Sequence, residues 1–191
     1  MGAKQSRTSL DRNLDYLQIQ TGQDENTIKE QYQRFKSEFP NGKLTRKDFL
    51  KVCKELFPTE NGDEFCQHVF RAFDTDNNGF IDLKEFILAV NLTGDSSAEE
   101  KLKWVFGIYD VDGNGVIDRL EIANVLQAMY NAYGPGDTTT PSPSPLSSEG
   151  VASIFNFLDE NDDGQLTEEE FVSGCLQDDN LSKLLTPQFL Q

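Results

Sequence analysis

Apolar positions recur along this chain at the spacing of helices, and three acidic windows interrupt them. Ser97 and Thr167 each precede a glutamate by three residues, which is the spacing of a capping box that opens a helix. The pattern therefore predicts an all-α chain of helix–loop–helix units. Before the windows lie Phe70, Phe73, Phe106, Tyr109, Phe155 and Leu158, and after them Phe86, Ala89, Val90, Ile122, Val125, Leu126, Phe171 and Cys175.

The windows are loop two (74–85), loop three (110–121) and loop four (159–170), and they repeat one 12-residue pattern. Oxygen-bearing side chains stand at positions 1, 3, 5 and 9, glycine at 6, an aliphatic residue at 8 and glutamate at 12. This is the spacing of the EF-hand calcium loop, where position 7 contributes its carbonyl oxygen and the glutamate closes the coordination shell. The predicted Ca²⁺ ligands are Asp74, Asp76, Asn78, Phe80, Asp82 and Glu85; Asp110, Asp112, Asn114, Val116, Asp118 and Glu121; and Asp159, Asn161, Asp163, Gln165, Thr167 and Glu170.

The charge of the protein is concentrated in these loops. They hold fifteen acidic residues and two basic ones, so they carry −13 of the net charge of −16. Such crowding costs stability unless a counter-ion neutralises it. In loop four, positions 3 and 9 are the neutral Asn161 and Thr167, so we expect this site to be weaker or more permissive to Mg²⁺.

A fourth copy of the pattern lies upstream, at residues 37–48, and is called loop one. Its exit matches the repeat, but Phe35 to Gly42 spans seven residues where Phe73 to Gly79 spans six. Phe39 occupies a ligand position and Pro40 stiffens the entry, so loop one is not expected to bind calcium.

EF-hands pair through a short β-bridge at position 8, which predicts that Leu44 faces Ile81 and that Ile117 faces Leu166. Two lobes follow, at 20–95 and 96–180. Residues 134–148 are rich in Pro, Ser and Thr, and we interpret them as a mobile loop inside the second lobe.

The two ends carry separate signals. The chain opens Met-Gly-Ala-Lys-Gln-Ser, which matches the N-myristoylation pattern at Gly2, so residues 1–19 are interpreted as an acylated arm. One myristoyl chain binds a membrane only weakly, which suits reversible association of a cytoplasmic protein. The apolar tail 181–191 either packs on its own lobe or occupies a groove until a partner displaces it.

Several classes of function are not expected. The negative charge argues against nucleic acid as a partner. The chain has no apolar run of about 18 residues and no apolar signal segment at its start. Three separated cysteines fit buried thiols. An enzyme is not expected, since the only histidine, His68, has no evident nucleophile beside it.

A partner surface is predicted in the first lobe. Phe49, Val52, Cys53 and Leu56 follow i, i+3, i+4, i+7 spacing and form one apolar stripe. Much of such a stripe is ordinary core, but fourteen Phe against two Met favour a shaped, selective groove. The proposed groove residues are Tyr32, Phe35, Phe49, Val52, Leu56, Phe57, Phe86 and Val90.

Three intact loops, a broken first loop reading Phe39-Pro40-Asn41-Gly42 and the Gly2 signal together resemble the neuronal calcium sensor family, which includes recoverin, visinin-like and frequenin-like proteins. The stretches 68–73 and 101–104 also look like family sequence. The resemblance implies a signalling protein in which a groove of the first lobe, in the calcium state, takes a helix of a target such as a receptor kinase, cyclase, channel or lipid kinase. It also implies membrane association through myristate.

Two alternatives remain open from the sequence. A calcium buffer needs neither a groove nor a lipid. A regulatory subunit of the calcineurin B type shares the acylation and the EF-hands, although its hands all bind calcium.

Overall fold

The computed structural model describes residues 9–55, 57, 61–94, 96–134 and 146–191. This part of the chain forms ten α-helices and four two-residue strands. The helices are α1 (Ser9–Thr21), α2 (Glu25–Glu38), α3 (Arg46–Lys54), α4 (Asp63–Phe73), α5 (Leu83–Leu92), α6 (Ala98–Tyr109), α7 (Arg119–Tyr133), α8 (Ser148–Leu158), α9 (Glu168–Gln177) and α10 (Asp179–Leu185). The strands are β1 (Leu44–Thr45), β2 (Phe80–Ile81), β3 (Val116–Ile117) and β4 (Leu166–Thr167).

The four loops each lie between two helices, so the predicted all-α, helix–loop–helix organisation is confirmed. The strands pair antiparallel, β1 with β2 and β3 with β4. Leu44 faces Ile81 and Ile117 faces Leu166, as the position-8 pairing predicts. All four of these aliphatic side chains are buried, so each β-bridge joins its two loops through a pair of core residues.

Local hydrogen bonds determine where the helices begin. Ser97 and Thr167 form the two predicted capping boxes, at the starts of α6 and α9. Asp82 and Asp118 form two more, at the starts of α5 and α7. Position 9 of loops two, three and four therefore caps the exiting helix, and the glutamate at position 12 completes each box.

The described chain divides into two compact units. One runs from the start of α1 to Arg46 and continues over residues 73–94; the other comprises residues 47–72 and everything from Ser96 onward. This division differs from the lobes expected at 20–95 and 96–180, because residues 47–72 belong with the second unit. Within that unit the Phe57 ring lies 5.0 Å from the Tyr133 ring, and the Arg71 guanidinium donates to the Ile108 carbonyl oxygen at 2.6 Å.

The first unit has an aliphatic and aromatic core. Leu17 of α1, Ile28 and Phe35 of α2 and Ile87 of α5 are buried, and the rings of Phe35 and Phe86 lie 4.8 Å apart. Helix α1 thus belongs to this unit, whereas the sequence placed residues 1–19 in an arm outside it. Because α1 is mostly polar, its narrow apolar stripe was not recognised in the sequence. Among the described side chains of this helix, only Leu17 is fully buried.

The second unit buries α6 against α9. Phe171 of α9 is fully buried between α6 residues, with its ring 5.9 Å from Phe106 and 5.7 Å from Tyr109. Leu158 and Cys175 are also fully buried in this unit. All three cysteines are free, buried thiols, as predicted.

The C-terminal tail packs inside the second unit. Leu181, Leu185 and Leu190 are buried, and the Tyr109 hydroxyl donates to the Leu185 carbonyl oxygen at 3.2 Å. The Phe189 ring stands edge-on to the Trp104 indole, 6.2 Å away. In this structure the tail packs against its own unit, and displacement of the tail by a partner stays a hypothesis.

Two predicted features lie wholly or mostly outside the described residues: the Gly2 lipidation signal, and the central part of the 134–148 loop, residues 135–145. At the end of that loop, Ser147 caps α8, so Ser148 is already helical. Within the described residues, no helix is both long and apolar enough to cross a bilayer.

Candidate metal sites

The first residue of each intact loop organises the turn around it. Both carboxylate oxygens of Asp74 accept backbone hydrogen bonds, from Asn78 at 3.0 Å and Gly79 at 2.9 Å. Asp110 and Asp159 do the same in their loops. This aspartate is the C-cap of the entering helix in loops three and four and directly follows that helix in loop two, so the first candidate ligand is attached to the helix end.

Positions 3 and 5 continue the turn in the same way in all three loops. In loop three the Asp112 side chain accepts from the Asn114 backbone at 3.1 Å, and the Asn114 side chain accepts from the Val116 backbone at 2.9 Å. The backbone N–H groups therefore point toward the acidic side chains, and the side-chain oxygens are drawn to the inside of the loop.

Two positions in each of loops two, three and four have positive φ. The predicted one is the glycine at position 6, represented by Gly115 with φ 87°. The other, not expected from the repeat pattern, is position 4: Asn77, Gly113 and Asp162 have φ of 53°, 72° and 57°. Asn, Asp and Gly are the residues that tolerate this conformation, so their presence at position 4 was the signal that could have revealed it.

The glutamate at position 12 connects each loop to its exiting helix. Glu85 is buried; one of its oxygens accepts from the Thr75 backbone at 2.8 Å and the other from the Asp82 backbone at 3.0 Å. Glu121 accepts equivalent bonds from Val111 and Asp118, each at 2.8 Å. Each carboxylate thus bridges the two ends of its loop.

Loops two and three bring three acidic side chains together. Asp74, Asp76 and Glu85 each place an oxygen within 4.8 Å of the others, and so do Asp110, Asp112 and Glu121. The donors in these clusters are all oxygens, with no thiol or imidazole among them. This donor set fits a hard divalent cation such as Ca²⁺ and does not fit zinc in a structural site.

Loop four keeps the turn but holds its glutamate differently. The Thr167 backbone and hydroxyl both donate to one oxygen of Glu170, at 2.9 and 2.7 Å. Among the described residues of this loop, no three acidic side chains converge as they do in loops two and three. The neutral Asn161 stands at position 3, where loops two and three each supply one of their three clustered carboxylates.

Loop one has a different entry. Phe39 caps the end of α2 and lies with its ring 5.2 Å from the Phe35 ring, so position 3 is used for packing. Pro40 stands where the other loops need positive φ, which its ring forbids. Gly42 retains φ 68°, so the exit and its β-bridge survive. Within the described residues, loop one contributes to no acidic cluster.

The proposed groove residues are divided between the two units. Tyr32, Phe35, Phe86 and Val90 lie in the first unit, and Phe49, Val52 and Phe57 in the second; Leu56 lies outside the described residues. Phe35 and Phe57 are buried, whereas Val52 is 54% exposed. The proposed groove residues are therefore partly buried core in this structure. Their apolar spacing alone could not distinguish core residues from groove residues.

Comparison with known proteins agrees with this geometry. A family model of the EF-hand domain pair matches residues 99–176, and one of the EF-hand domain matches residues 64–93. Neuronal calcium sensor 1 of Lymnaea stagnalis is 38% identical over 186 residues, which cover 97% of this chain and 96% of the relative. The chain belongs to the neuronal calcium sensor family.

Other relatives agree with that membership. Recoverin of Homo sapiens is 32% identical over 186 residues, covering 97% of this chain and 93% of recoverin. S-modulin of Aquarana catesbeiana is 31% identical over 192 residues, covering 97% of this chain and 92% of the relative. The family expected from the loops and the Gly2 signal is thereby confirmed over nearly the whole chain.

Proposed function

We propose that this protein is a calcium sensor that binds Ca²⁺ in loops two, three and four. The observation that carries the proposal is the convergence of three carboxylates in loop two and three in loop three, each on a turn of EF-hand geometry. Membership in a family of calcium sensors supports it. The predicted side-chain and carbonyl ligands of all three loops keep their roles in this proposal.

The glutamates at position 12 are the residues that would transmit binding to the helices. Glu85, Glu121 and Glu170 each lie in the first turn of an exiting helix. Each forms a capping box with the N-cap residue at position 9 of its loop. Bound calcium would supply two positive charges and a preference for six to eight oxygen ligands. Any shift of these carboxylates moves the start of α5, α7 or α9, since the side chain is anchored there.

The response we propose is exposure of an apolar surface that takes a target helix. Val52 is already 54% exposed, whereas the groove residues Phe35 and Phe57 are buried in their respective units. Phe35 and Phe57 would have to become accessible, which distinguishes a sensor from a buffer that barely opens.

The test combines calorimetry with binding of a hydrophobic dye to the full chain. We expect micromolar or tighter calcium binding, with dye fluorescence that rises on calcium addition and falls on chelation. Binding without any rise in dye fluorescence would indicate a buffer. No calcium binding at all would overturn the proposal.

The fourth loop is proposed to be the weakest calcium site and the most permissive to Mg²⁺. Thr167→Asp should raise its calcium affinity about three- to tenfold, because affinity in these loops rises with the number of ligand charges. Aspartate at this position also caps the exiting helix, as Asp82 and Asp118 do. The measurement is calorimetry in a Glu85→Gln/Glu121→Gln background, so that only loop four titrates.

The matched control is Thr167→Asn, which changes the side chain without adding charge. An equal gain from Asn and Asp would show that charge is not the cause. A loop four that binds calcium most tightly of the three in the parent protein would also contradict the proposed order.

Reversible membrane association through myristate on Gly2 is a further part of the proposal, supported by the Met-Gly-Ala-Lys-Gln-Ser opening. Protein made with an N-myristoyltransferase should sediment with lipid vesicles, and Gly2→Ala should remain in the supernatant. Equal sedimentation of the two proteins would contradict a lipid anchor at this residue.

A further inference from the structure

Arg71 of α4 reaches the end of α6 inside the second unit. One of its terminal nitrogens donates to the carbonyl oxygen of Ile108 at 2.6 Å and more weakly to that of Gly107 at 3.5 Å. These are among the last carbonyls of α6, which carry partial negative charge because the helix provides them with no further donor. Loop three begins immediately afterwards, at Asp110.

The surroundings of Arg71 hold it in this place. Its other terminal nitrogen lies 3.0 Å from Nδ1 of His68, one turn earlier on the same helix. Since arginine can only donate, His68 must accept, which requires a neutral ring. Burial, with a smaller contribution from Arg71, lowers the pKa of His68 to about 4, so the ring is neutral at physiological pH.

Arg71 also interacts with the charges of loop three. Partial burial lowers the pKa of its guanidinium, and the carboxylates of Asp110 and Glu121 act in the opposite direction. Both are predicted ligands of loop three, at positions 1 and 12. The Ile108 carbonyl oxygen that Arg71 binds lies two residues before Asp110, so a cation from a neighbouring helix is held at the entry to that site.

We propose that Arg71 is a positioning residue that serves as the internal counter-ion of loop three, holding α4 to the end of α6 and opposing the entry of a second cation. The inference rests on the proposed calcium site in loop three. A guanidinium stabilises the clustered carboxylates when they have no other counter-charge. It repels a divalent ion bound there, so Arg71 stabilises the metal-free form more than the loaded form and lowers the affinity of the site.

The test is calcium binding to loop three alone, in a Glu85→Gln/Glu170→Gln background at low salt. Arg71→Met keeps an unbranched apolar chain but removes the charge and the donors, and should raise the affinity about three- to tenfold. Arg71→Lys keeps the charge and should stay close to the parent. Added salt should reduce the gain, since it screens charge interactions.

A second readout does not depend on binding. Urea unfolding of the second unit, followed by Trp104 fluorescence, should show that Arg71→Met destabilises the metal-free protein more than the calcium-saturated one. Equal destabilisation in both states, or an affinity that falls in the Met and Lys variants alike, would make Arg71 an ordinary structural contact and overturn the proposal. Absence of calcium binding in the background protein itself would instead count against the proposed function.

Discussion

Glu121→Gln is expected to lower the calcium affinity of loop three by roughly 100-fold or more, because the ligand proposed to close the shell loses its charge. The amide also presents an N–H₂ group to backbone donors. In the structure both oxygens of Glu121 accept backbone hydrogen bonds, from Val111 and Asp118, and an amide can accept with only one of its two ends. Calorimetry on protein stripped of metal should show one calcium site fewer than in the parent chain.

Glu149→Gln is the control for that experiment. Glu149 is exposed in the first turn of α8, outside the loops, and its replacement changes the net charge by the same amount. We expect its calcium titration to match that of the parent. A Glu121→Gln protein that keeps all the parent's sites and affinities would remove loop three from the list of calcium sites.

Phe171→Ala is expected to destabilise the second unit by about 3–5 kcal/mol, the usual effect of removing a fully buried aromatic side chain. The ring fills the space between α9 and α6, against Phe106 and Tyr109, so its loss leaves a cavity that these rigid rings cannot close. Trp104 on α6 is the only tryptophan and reports on this unit. Urea unfolding of the metal-free protein, followed by its fluorescence, measures the loss.

Phe157→Ala provides the comparison, since Phe157 is 53% exposed on the neighbouring helix α8. Removing an aromatic ring that is half in water should cost less than about 1 kcal/mol. Similar losses from the two substitutions would mean that Phe171 is not the packing centre of the α6–α9 contact.

The ligand loops follow from the sequence because their determinants are local. Within twelve residues, Asp74 meets the backbone of Gly79, and Glu85 meets the backbone of Thr75 and Asp82. Carboxylates, a turn glycine and a closing glutamate at fixed offsets are enough to specify such bonds. The same reasoning correctly placed the β-bridge, because position 8 is fixed by the turn on one side and the capping box on the other.

The departure of loop one from the repeat was also visible in the sequence, although its geometric detail was not. Pro40 and Phe39 were recognisable as unsuitable at the entry. That Pro40 occupies the very position at which the other loops have positive φ became evident only from the backbone angles of Asn77, Gly113 and Asp162.

Contacts between distant helices were not predictable in the same way. Phe57 was recognisable as apolar, but the sequence does not say whether its ring meets a partner protein or Tyr133, which lies 76 residues further along the chain. Arg71 gave no sequence signal as a neighbour of loop three, since its contact with Ile108 joins residues 37 positions apart.

The sequence by itself determined the repeated loops, their candidate ligands, the helix starts and the pairing of the bridges, because each depends on residues close along the chain. Only the tertiary structure decided that α1 joins the first unit, that residues 47–72 join the second, and that the tail is buried. Those choices depend on which apolar surfaces fit together in space, and a periodic apolar stripe specifies that a helix face is buried without specifying against what.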